Sequence, residues 1–295
     1  MKKNIKLTIF TPTYNRGHLL TRLYKSLEEQ KSNDFEWLIV DDGSTDNTKI
    51  KVNELKKKSN FPIRYIFQQN SGKWKSFNNG VLKANGNLFF CVDSDDMLYE
   101  GAINNIIKSW TRAMHEKNDI CGIIGKKIDT ENKQLSSKFP PKIRYSDTYT
   151  LTEVLKCRGE FALIYKVDVL KRNLFPDTGE KFITENVIYD KIALQYKMFL
   201  LDKVLNICEY QSDGLSHNIY KIMLNNPIGY KIYYSQRIDM AITSKERFNY
   251  LIRYNAFHII SKTKKFKYRG KWNWLVRVSY PLGLILKNYY ERKKK

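Results

Sequence analysis

The sequence predicts an α/β fold in which a mainly parallel sheet is flanked by helices and followed by a helical C-terminal extension. Over the first 125 residues, short apolar runs alternate with segments of helical periodicity. This alternation is typical of parallel strands joined by helical crossovers. Of the 295 residues, 42% are hydrophobic and 14% are aromatic, which is enough apolar material for a large packed core and excludes disorder as the general state.

The predicted elements of this first part follow one another closely. After the first apolar run, Leu20, Leu23 and Leu27 recur at the spacing of one helix face. Asn85-Gly86 marks the end of a later helix, because Gly readily adopts the left-handed conformation that closes helices. The predicted strands are residues 7–10, 37–40, 64–67, 88–92 and 120–125, and the predicted helices are residues 16–30, 49–58, 73–84 and 99–115.

Beyond residue 125 the alternation is weaker. Pro140-Pro141 and many polar residues predict a loop over 126–149. The segment after Asp213-Gly214 is expected to be largely helical. The predicted strands of this part are residues 161–165 and 204–207, and the predicted helices are residues 184–198, 219–224 and 228–257.

The charge of the chain is strongly positive and unevenly distributed. The formal net charge is +22, and residues 262–295 contain 12 Lys and Arg and one Glu, a net charge of +11. Such an excess predicts an anionic partner, whether nucleic acid, acidic lipid or a phosphorylated ligand. Because half of the charge lies in the tail, the rest of the chain is only modestly basic.

The cysteines and the N-terminus predict a cytoplasmic protein. Cys91, Cys121, Cys157 and Cys208 form no CxxC pair, so neither a zinc site nor a redox motif is indicated, and a reducing compartment fits. The apolar run at the N-terminus ends too early for a signal peptide. We find no uncharged apolar stretch of the ~18 residues that a spanning helix needs, so we expect the protein to be soluble or to lie on a membrane surface.

Polar clusters follow four of the predicted strands. They are residues 11–16, 41–46, 70–73 and 93–96. In an open parallel sheet, ligands bind at the carboxyl ends of the strands. The four clusters are therefore expected to line one edge of the sheet and to form a binding site.

The most acidic of these clusters is Asp93-Ser94-Asp95-Asp96. Three carboxylates within four positions repel one another unless a cation or hydrogen-bond donors compensate. Oxygen ligands of this kind suit Mn²⁺ or Mg²⁺, which bind phosphate ligands through one or two carboxylates. The alternative is an acidic cluster that stabilises the start of the following helix. The position after a buried strand, with Asp41-Asp42 expected alongside, favours a metal and nucleotide site.

The ordered motifs resemble the family-2 glycosyltransferases of the GT-A fold. The resemblance covers roughly residues 5–125 and continues more weakly to about residue 217. It rests on Thr11-Pro12-Thr13-Tyr14-Asn15-Arg16, Asp41-Asp42-Gly43-Ser44-Thr45-Asp46, Asn70-Ser71-Gly72-Lys73, Asn78-Asn79-Gly80 and Asp93-Ser94-Asp95-Asp96. It implies an inverting, metal-dependent enzyme that moves a sugar from a nucleotide-sugar to a glycan or lipid-linked acceptor in cell-surface polysaccharide synthesis.

The resemblance also implies a domain division. Residues 1–217 would form the GT-A domain, with a nucleotide-binding half (1–125) and an acceptor half (126–217). Residues 218–295 would form a helical, basic and aromatic extension.

The resemblance implies roles for individual residues of the donor site. The turn of Pro12, Thr13 and Tyr14, continued by Asn15 and Arg16, would cradle the nucleobase and ribose. A further set covers the uracil, the phosphates and the metal. In this set Asp42, or else Asp41, would accept a hydrogen bond from uracil. Lys73 would lie near the base and phosphates, unless it is a solvated lysine at a helix start. Asp93 with Ser94 would hold the ribose or the metal, and Asp95 would hold the metal. The donor expected on these grounds is a UDP-sugar, with Mn²⁺ or Mg²⁺ as cofactor.

The catalytic base expected from the resemblance is Glu185. Related enzymes often place Glu-Asp at a helix start, whereas this chain has Glu185-Asn186, and an amide cannot take a proton from a hydroxyl. Asp190 and Glu180 are the reserve candidates. The alternative role for Glu185 is that of a capping acid after Thr184.

Two further residues are candidates for a third metal ligand. Related enzymes often carry a His-containing loop that closes over the diphosphate, and Asp213 and His217 fall in the corresponding segment. A single loop histidine can equally be merely solvated.

The basic tail suggests a membrane surface as a partner. Residues 262–295 combine a charge run with an aromatic and aliphatic segment, which suits an interfacial anchor on anionic lipid. We accordingly expect a peripheral location on the inner face of the membrane. The alternative is a helix packed on the rest of the protein with a solvated basic end.

Three other functions compete with a glycosyltransferase. A non-enzymatic nucleic-acid-binding protein would explain the charge, but the sequence shows no RRM, KH or zinc motif and acidic strand ends repel phosphate, so no nucleic acid is expected. A nucleotidyltransferase would also need a diphosphate and a metal, and would release pyrophosphate. A degenerate, inactive scaffold would explain Asn186.

Overall fold

The computed structural model describes residues 5–117, 119–209 and 219–293. The chain divides into two compact units, one made of Met1–Leu174 and Ile192–Gln211 and the other of Phe175–Lys191 and Ser212–Lys295. Residues 175–191, which the domain prediction assigns to the acceptor half, thus group with the C-terminal helices.

The first unit is built on a sheet of nine strands within the described residues. The strands are β1 (Leu7–Thr13), β2 (Phe35–Asp41), β3 (Ile63–Phe67), β4 (Leu88–Cys91), β5 (Met97–Leu98), β6 (Ile120–Asp129), β7 (Tyr145–Ser146), β8 (Phe161–Lys166) and β9 (Lys197–Cys208). The helices of this unit are α1 (Leu20–Glu28), α2 (Thr48–Lys58), α3 (Lys73–Lys83), α4 (Ala102–Glu116), a π-helical turn (Thr150–Val154) and α5 (Val167–Lys171). The next helix, α6 (Asn186–Ala193), belongs to the second unit up to Lys191.

The sheet is mixed rather than mainly parallel. Its order is β3-β2-β1-β4-β8-β6-β9-β5, with β7 paired to β9. The pairs β3–β2, β2–β1, β1–β4 and β6–β9 are parallel, whereas β8 runs antiparallel to both of its neighbours. The predicted α/β class with flanking helices is confirmed. Strand order reverses between β1 and β4, and such a switch point opens a crevice at the carboxyl ends of the strands.

Helices cover both faces of the sheet. Successive side chains of β1 point to opposite faces, and neighbouring residues of this strand pack against different helices. Ile9 belongs to the core cluster that includes Leu23 and Leu27 of α1. Phe10, on the other face, packs against Phe77 of α3, with ring centroids 5.9 Å apart. A Cβ added at Gly80 would come within 2.4 Å of the Phe10 ring, so this glycine permits the close approach of α3.

Three local predictions were wrong in the second half of the chain. The predicted loop over 126–149 includes the end of β6 and all of β7. The predicted helix over 184–198 ends at Ala193, and the buried run that begins at Met198 belongs to β9. An apolar run of this length does not distinguish helix from strand by periodicity.

The third correction concerns the single helix predicted over 228–257. It is two helices, α8 (Pro227–Met240) and α9 (Ser244–Ser261). The Thr243 side chain accepts a hydrogen bond from the Glu246 N–H at 3.1 Å, and the Glu246 carboxylate accepts one from the Thr243 N–H at 3.3 Å. This capping box starts a new helix at that point.

The second unit is helical and aromatic. Besides α8 and α9, it contains α7 (Ile219–Asn225), α10 (Asn273–Val278) and α11 (Tyr280–Lys293). Its core includes Phe257, whose ring stacks on those of Tyr230 and Tyr234 with centroids 5.2 and 5.6 Å apart, respectively. Within the described ranges, no helix of the chain has both the length and the apolar composition needed to cross a membrane.

A buried carboxylate ties together the edge of the sheet opposite the switch crevice. Glu36, fully buried at the start of β2, accepts hydrogen bonds from Thr8 Oγ1 at 2.8 Å and from the backbone N–H and side-chain Nδ2 of Asn85 at 2.7 and 2.8 Å. Arg64 Nη1 donates a further bond at 3.0 Å. The start of β1, β3 and the connection into β4 therefore all depend on one side chain.

We expect Glu36→Ala to lower the free energy of unfolding by about 3 kcal/mol, because it leaves the buried Thr8 hydroxyl and the part-buried donors of Asn85 and Arg64 without their acceptor. Chemical denaturation followed by circular dichroism measures the change. Glu54→Ala is the matched control, since the Glu54 carboxylate is exposed and pairs only across the helix surface with Lys51. Equal effects of the two substitutions would contradict this role for Glu36.

Candidate functional site

The carboxyl ends of β1 and β2 lie in register. Thr13 is paired with Asp41, and the Asp42 N–H donates to the Thr13 carbonyl at 2.8 Å. The predicted clusters after the first two strands are thus brought side by side at the switch crevice.

The turn after β1 is fixed by hydrogen bonds to the turn after β2. Asn15 adopts a left-handed conformation (φ +53°), which Asn tolerates better than most residues. Its N–H donates to Ser44 Oγ at 2.8 Å, and its Oδ1 accepts from the Thr45 N–H at 2.8 Å. The neighbouring Tyr14 side chain is 49% exposed, so its ring is accessible at the crevice.

Asp42 organises the loop that leads into α3. Its Oδ1 accepts from Gln68 Nε2 at 2.8 Å and from the Ser71 N–H at 2.9 Å, while its Oδ2 accepts from the Gly72 N–H at 2.8 Å. Gly72 has a φ of +100°, a conformation that favours glycine. These three bonds use most of the acceptor capacity of the carboxylate. Contact of Asp42 with uracil stays a prediction.

Asp41, the last residue of β2, is buried under the turn that follows this strand. Its Oδ1 accepts from the Ser44 N–H at 2.8 Å, and its Oδ2 accepts from the Tyr65 hydroxyl at 2.6 Å. Burial and this hydrogen bond raise the pKa of Tyr65 above its ordinary value. Asp41 therefore fixes the turn after β2 through its bond to the Ser44 N–H.

Two cationic side chains reach the acidic cluster after β4. Lys73 Nζ lies 2.9 Å from Asp93 Oδ1, and Arg16 Nη1 lies 2.8 Å from Asp95 Oδ2. The Asp93 side chain is 42% exposed and that of Asp95 is 15% exposed. Arg22, which also pairs with Glu209, donates to the Asp95 carbonyl at 2.5 Å. The structure thus joins the predicted residues Arg16, Lys73, Asp93 and Asp95.

The nearby cations lower the pKa of Asp93. Burial would raise the pKa of Asp93, but the charge and hydrogen bond of Lys73, with smaller effects of Lys127 and Arg16, hold that pKa below its ordinary value. Asp93 is therefore ionised at neutral pH. Ser94, which separates it from Asp95, is buried.

Asp96 lies behind the exposed carboxylates. It accepts a hydrogen bond from Asn206 Nδ2 at 2.8 Å, and Cys208 Sγ lies 3.6 Å away. Burial raises the pKa of Asp96 to about 6 against the opposing charge of Lys127, and Asp93 adds to the increase. Asp96 is thus a buried member of the cluster.

Sequence reasoning missed Lys127 and Asn206. Burial would lower the pKa of Lys127, but Cys208, Asp96 and Asp93 together raise it, so it is a fixed positive charge behind the acids. The available signal was the pair Lys126-Lys127, which directly follows the buried apolar run of residues 120–125 in β6. Asn206 is fully buried in β9, 110 positions from Asp96.

The metal predictions are tested only in part by this geometry. In residues 5–117, 119–209 and 219–293, no three or more His, Cys, Asp or Glu side chains are arranged to hold a metal ion. Asp213 and His217 lie outside the described residues. Asp93 and Asp95 offer two partly exposed carboxylates whose charge is balanced here by Lys73 and Arg16. Hard oxygen donors of this kind fit Mn²⁺ or Mg²⁺.

The candidate base lies in the second unit. Glu185 is half-buried directly before α6, and Asn186 is the exposed first residue of that helix. The two reserve acids have structural partners.

Glu180 accepts hydrogen bonds from the Ile228 and Gly229 N–H groups at 2.7 and 2.8 Å and so caps α8. Asp190 forms a buried bidentate pair with Arg237 at 2.5 and 2.9 Å. These two carboxylates hold the second unit together.

Comparisons with known proteins agree with this arrangement. A relative from Campylobacter jejuni, the GalNAc(5)-diNAcBac-PP-undecaprenol beta-1,3-glucosyltransferase, is 28% identical over 228 residues, which cover 74% of this chain and 71% of the relative.

Two solved structures show the same fold at low sequence identity. Residues 1–349 of Staphylococcus aureus TarS, in complex with UDP-GlcNAc, align with a TM-score of 0.59 at 18% identity, over 98% of this chain and 93% of that one. The mannosyltransferase PcManGT from Pyrobaculum calidifontis, in complex with GDP-Man and Mn²⁺, aligns with a TM-score of 0.57 at 16% identity, over 99% of this chain and 84% of that one.

The family itself is shown by sequence. The sequence model of Glycosyl transferase family 2 matches residues 8–174, more than half of the chain. The match includes β1 except its first residue, all of β2 to β4 and every cluster of the crevice. The chain is therefore a glycosyltransferase of family 2 with a GT-A-like fold.

Proposed function

We propose that this glycosyltransferase is an inverting, divalent-metal-dependent enzyme that transfers a sugar from a UDP-sugar to a glycan or lipid-linked acceptor in cell-surface polysaccharide synthesis. The observation that carries the proposal is the cation-balanced pair of carboxylates, Asp93 and Asp95, at the carboxyl end of β4. Partly exposed carboxylates suit a divalent cation, and the neighbouring Lys73 and Arg16 suit the diphosphate of a nucleotide-sugar that binds together with this cation.

Donor recognition is assigned to the two turns of the crevice. The accessible ring of Tyr14, with Pro12 and Thr13, would contact the nucleobase and ribose. Asp42 or Asp41 would accept the uracil N–H, and a carboxylate acceptor favours uracil over bases without that donor edge. The UDP-GlcNAc complex of TarS supports a UDP-sugar as donor.

The leaving diphosphate needs positive charge. Lys73 and Arg16 would supply it from this chain, and Asp93 and Asp95 would hold Mn²⁺ or Mg²⁺, which stabilises the charge developing on the departing diphosphate. Asp213 and His217 stay candidates for a third ligand.

Glu185 is the proposed base. It would take the proton of the acceptor hydroxyl while that oxygen bonds to the anomeric carbon and the bond from this carbon to the diphosphate breaks. Attack opposite the leaving group inverts the anomeric centre. The support is the motif position of Glu185, directly before α6.

A lipid-linked acceptor is supported by the Campylobacter relative, whose name gives its acceptor as a glycan linked to PP-undecaprenol. With such an acceptor, we propose a peripheral location on the inner face of the cell membrane.

We expect UDP or a UDP-sugar with Mn²⁺ to raise the melting temperature of the wild-type protein, because a ligand that binds only the native state stabilises it by about 2.7 kcal/mol at a concentration 100 times its dissociation constant. The shift should disappear in Asp95→Asn. Asp34→Asn is the matched control, since Asp34 pairs with Lys6 at the opposite edge of the sheet.

A shift of the same size in Asp95→Asn, or one independent of metal, would refute the proposed metal site. Release of UDP rather than pyrophosphate from a UDP-sugar distinguishes the proposed reaction from nucleotidyl transfer.

We expect Glu185→Gln to lower turnover by about 100-fold or more, because an amide cannot accept the acceptor proton, with little change in melting temperature. Asp190→Asn should instead destabilise the fold, since it weakens a buried pair with Arg237. Sugar-transfer rates and thermal unfolding of the two variants separate catalysis from stability. Near-normal turnover in Glu185→Gln would remove the base assignment.

A further inference from the structure

Helix α11 packs on the second unit through one face. Ser279, just before the helix, is fully buried and its Oγ accepts from Asn255 Nδ2 at 3.0 Å. A Cβ added at Gly283 would lie 2.4 Å from Asn255 Cβ. The buried Tyr290 hydroxyl accepts from Arg253 Nη1 at 3.2 Å. Ser279, Gly283 and Tyr290 thus form the inner face, held against α9.

Helical hydrogen bonding continues from α10 into α11. The Ser279 N–H donates to the Leu275 carbonyl at 2.9 Å, and the Gly283 N–H donates to the Ser279 carbonyl at 3.1 Å. Residues 273–293 therefore run as nearly one helix, about 31 Å long at 1.5 Å per residue.

A second face of this helix, about 120° around the axis from the inner face, is apolar and exposed. At about 100° per residue, its side chains fall within a stripe roughly 80° wide. Trp274 is 61% exposed and Ile285 is 65% exposed. The stripe consists of Trp274, Val278, Leu282, Ile285 and Tyr289.

Basic residues precede and follow the stripe along the chain. The described residues 262–293 contain ten Lys and Arg and one Glu, and Glu291 pairs with Lys287 at 3.0 Å. The Lys and Arg of residues 262–271 are exposed, as are Arg292 and Lys293 beyond the stripe. We call the stripe together with these flanking charges the basic–apolar surface.

We propose that the basic–apolar surface docks on the interface of an anionic lipid bilayer, with the helix axis in the membrane plane. Burial of the stripe removes apolar area from water, and the flanking lysines and arginines are attracted to acidic headgroups. A second copy of the same surface is disfavoured because it would bring like charges together. Nucleic acid would satisfy the charges but would leave the aliphatic side chains exposed.

The test is flotation of the full-length protein with vesicles of phosphatidylcholine alone or with about 30% phosphatidylglycerol. We expect binding to the anionic vesicles to be at least tenfold stronger and to fall as salt is raised, since salt screens the headgroup charge. No acceptor or donor is present, so the outcome does not depend on the proposed transferase reaction.

The stripe is tested by Ile285→Asp, which should weaken binding by about tenfold through lost apolar burial. Ile50→Asp is a closely matched control, because Ile50 is an isoleucine of α2 that is 64% exposed and also lies among lysines. It should leave vesicle binding nearly unchanged.

Insertion is distinguished from charge-only adsorption by brominated lipid, which should quench tryptophan fluorescence in the wild-type protein and quench it less in Trp274→Phe. Equal loss of binding in Ile285→Asp and Ile50→Asp would overturn the proposal, as would binding without quenching. RNA binding in the absence of vesicle binding would overturn it as well and would assign the basic charge to nucleic acid.

Discussion

Compensation of negative charge at the carboxyl ends of β1, β2 and β4 is the constraint on which the crevice depends. A carboxylate that is taken out of water needs donors or cations around it. Each aspartate of this edge is compensated by a different group, and these contacts together fix the conformation of the loops. The compensating groups are the Tyr65 hydroxyl for Asp41, Gln68 and two backbone N–H groups for Asp42, Lys73 for Asp93, Arg16 for Asp95, and Asn206 for Asp96.

The kind of compensation separates carboxylates with fixed partners from carboxylates with exchangeable partners. Asp41 and Asp42 are buried and bonded to groups that the fold fixes, so they define the turn and the loop before α3. Asp93 and Asp95 are more exposed and are balanced by long, flexible cationic side chains. Such partners can exchange a carboxylate for a phosphate without unfolding anything. A site that must accept and release a charged donor is more easily built from pairs of the second kind.

The second unit relies on aromatic packing and one buried ion pair. Stacked rings of Tyr230, Tyr234 and Phe257 fill its interior, and Arg237 with Asp190 joins residues 175–191 to α8. The same unit leaves an apolar stripe of α10 and α11 uncovered among lysines and arginines. A soluble surface rarely concentrates apolar side chains in this way without a partner.

The amino-acid sequence by itself determined the α/β class, most elements up to residue 125, and the polar clusters that the structure brings together at one edge. These features follow from local periodicity, turn residues and the rule that ligands meet the carboxyl ends of parallel strands. Only the tertiary structure decided the antiparallel direction of β8, because an apolar run carries no signal of strand direction. The tertiary structure also decided the partners of Glu180 and Asp190 in α8, and it placed Lys127 and Asn206 next to Asp96. Partners so distant along the chain are chosen by packing rather than by sequence spacing.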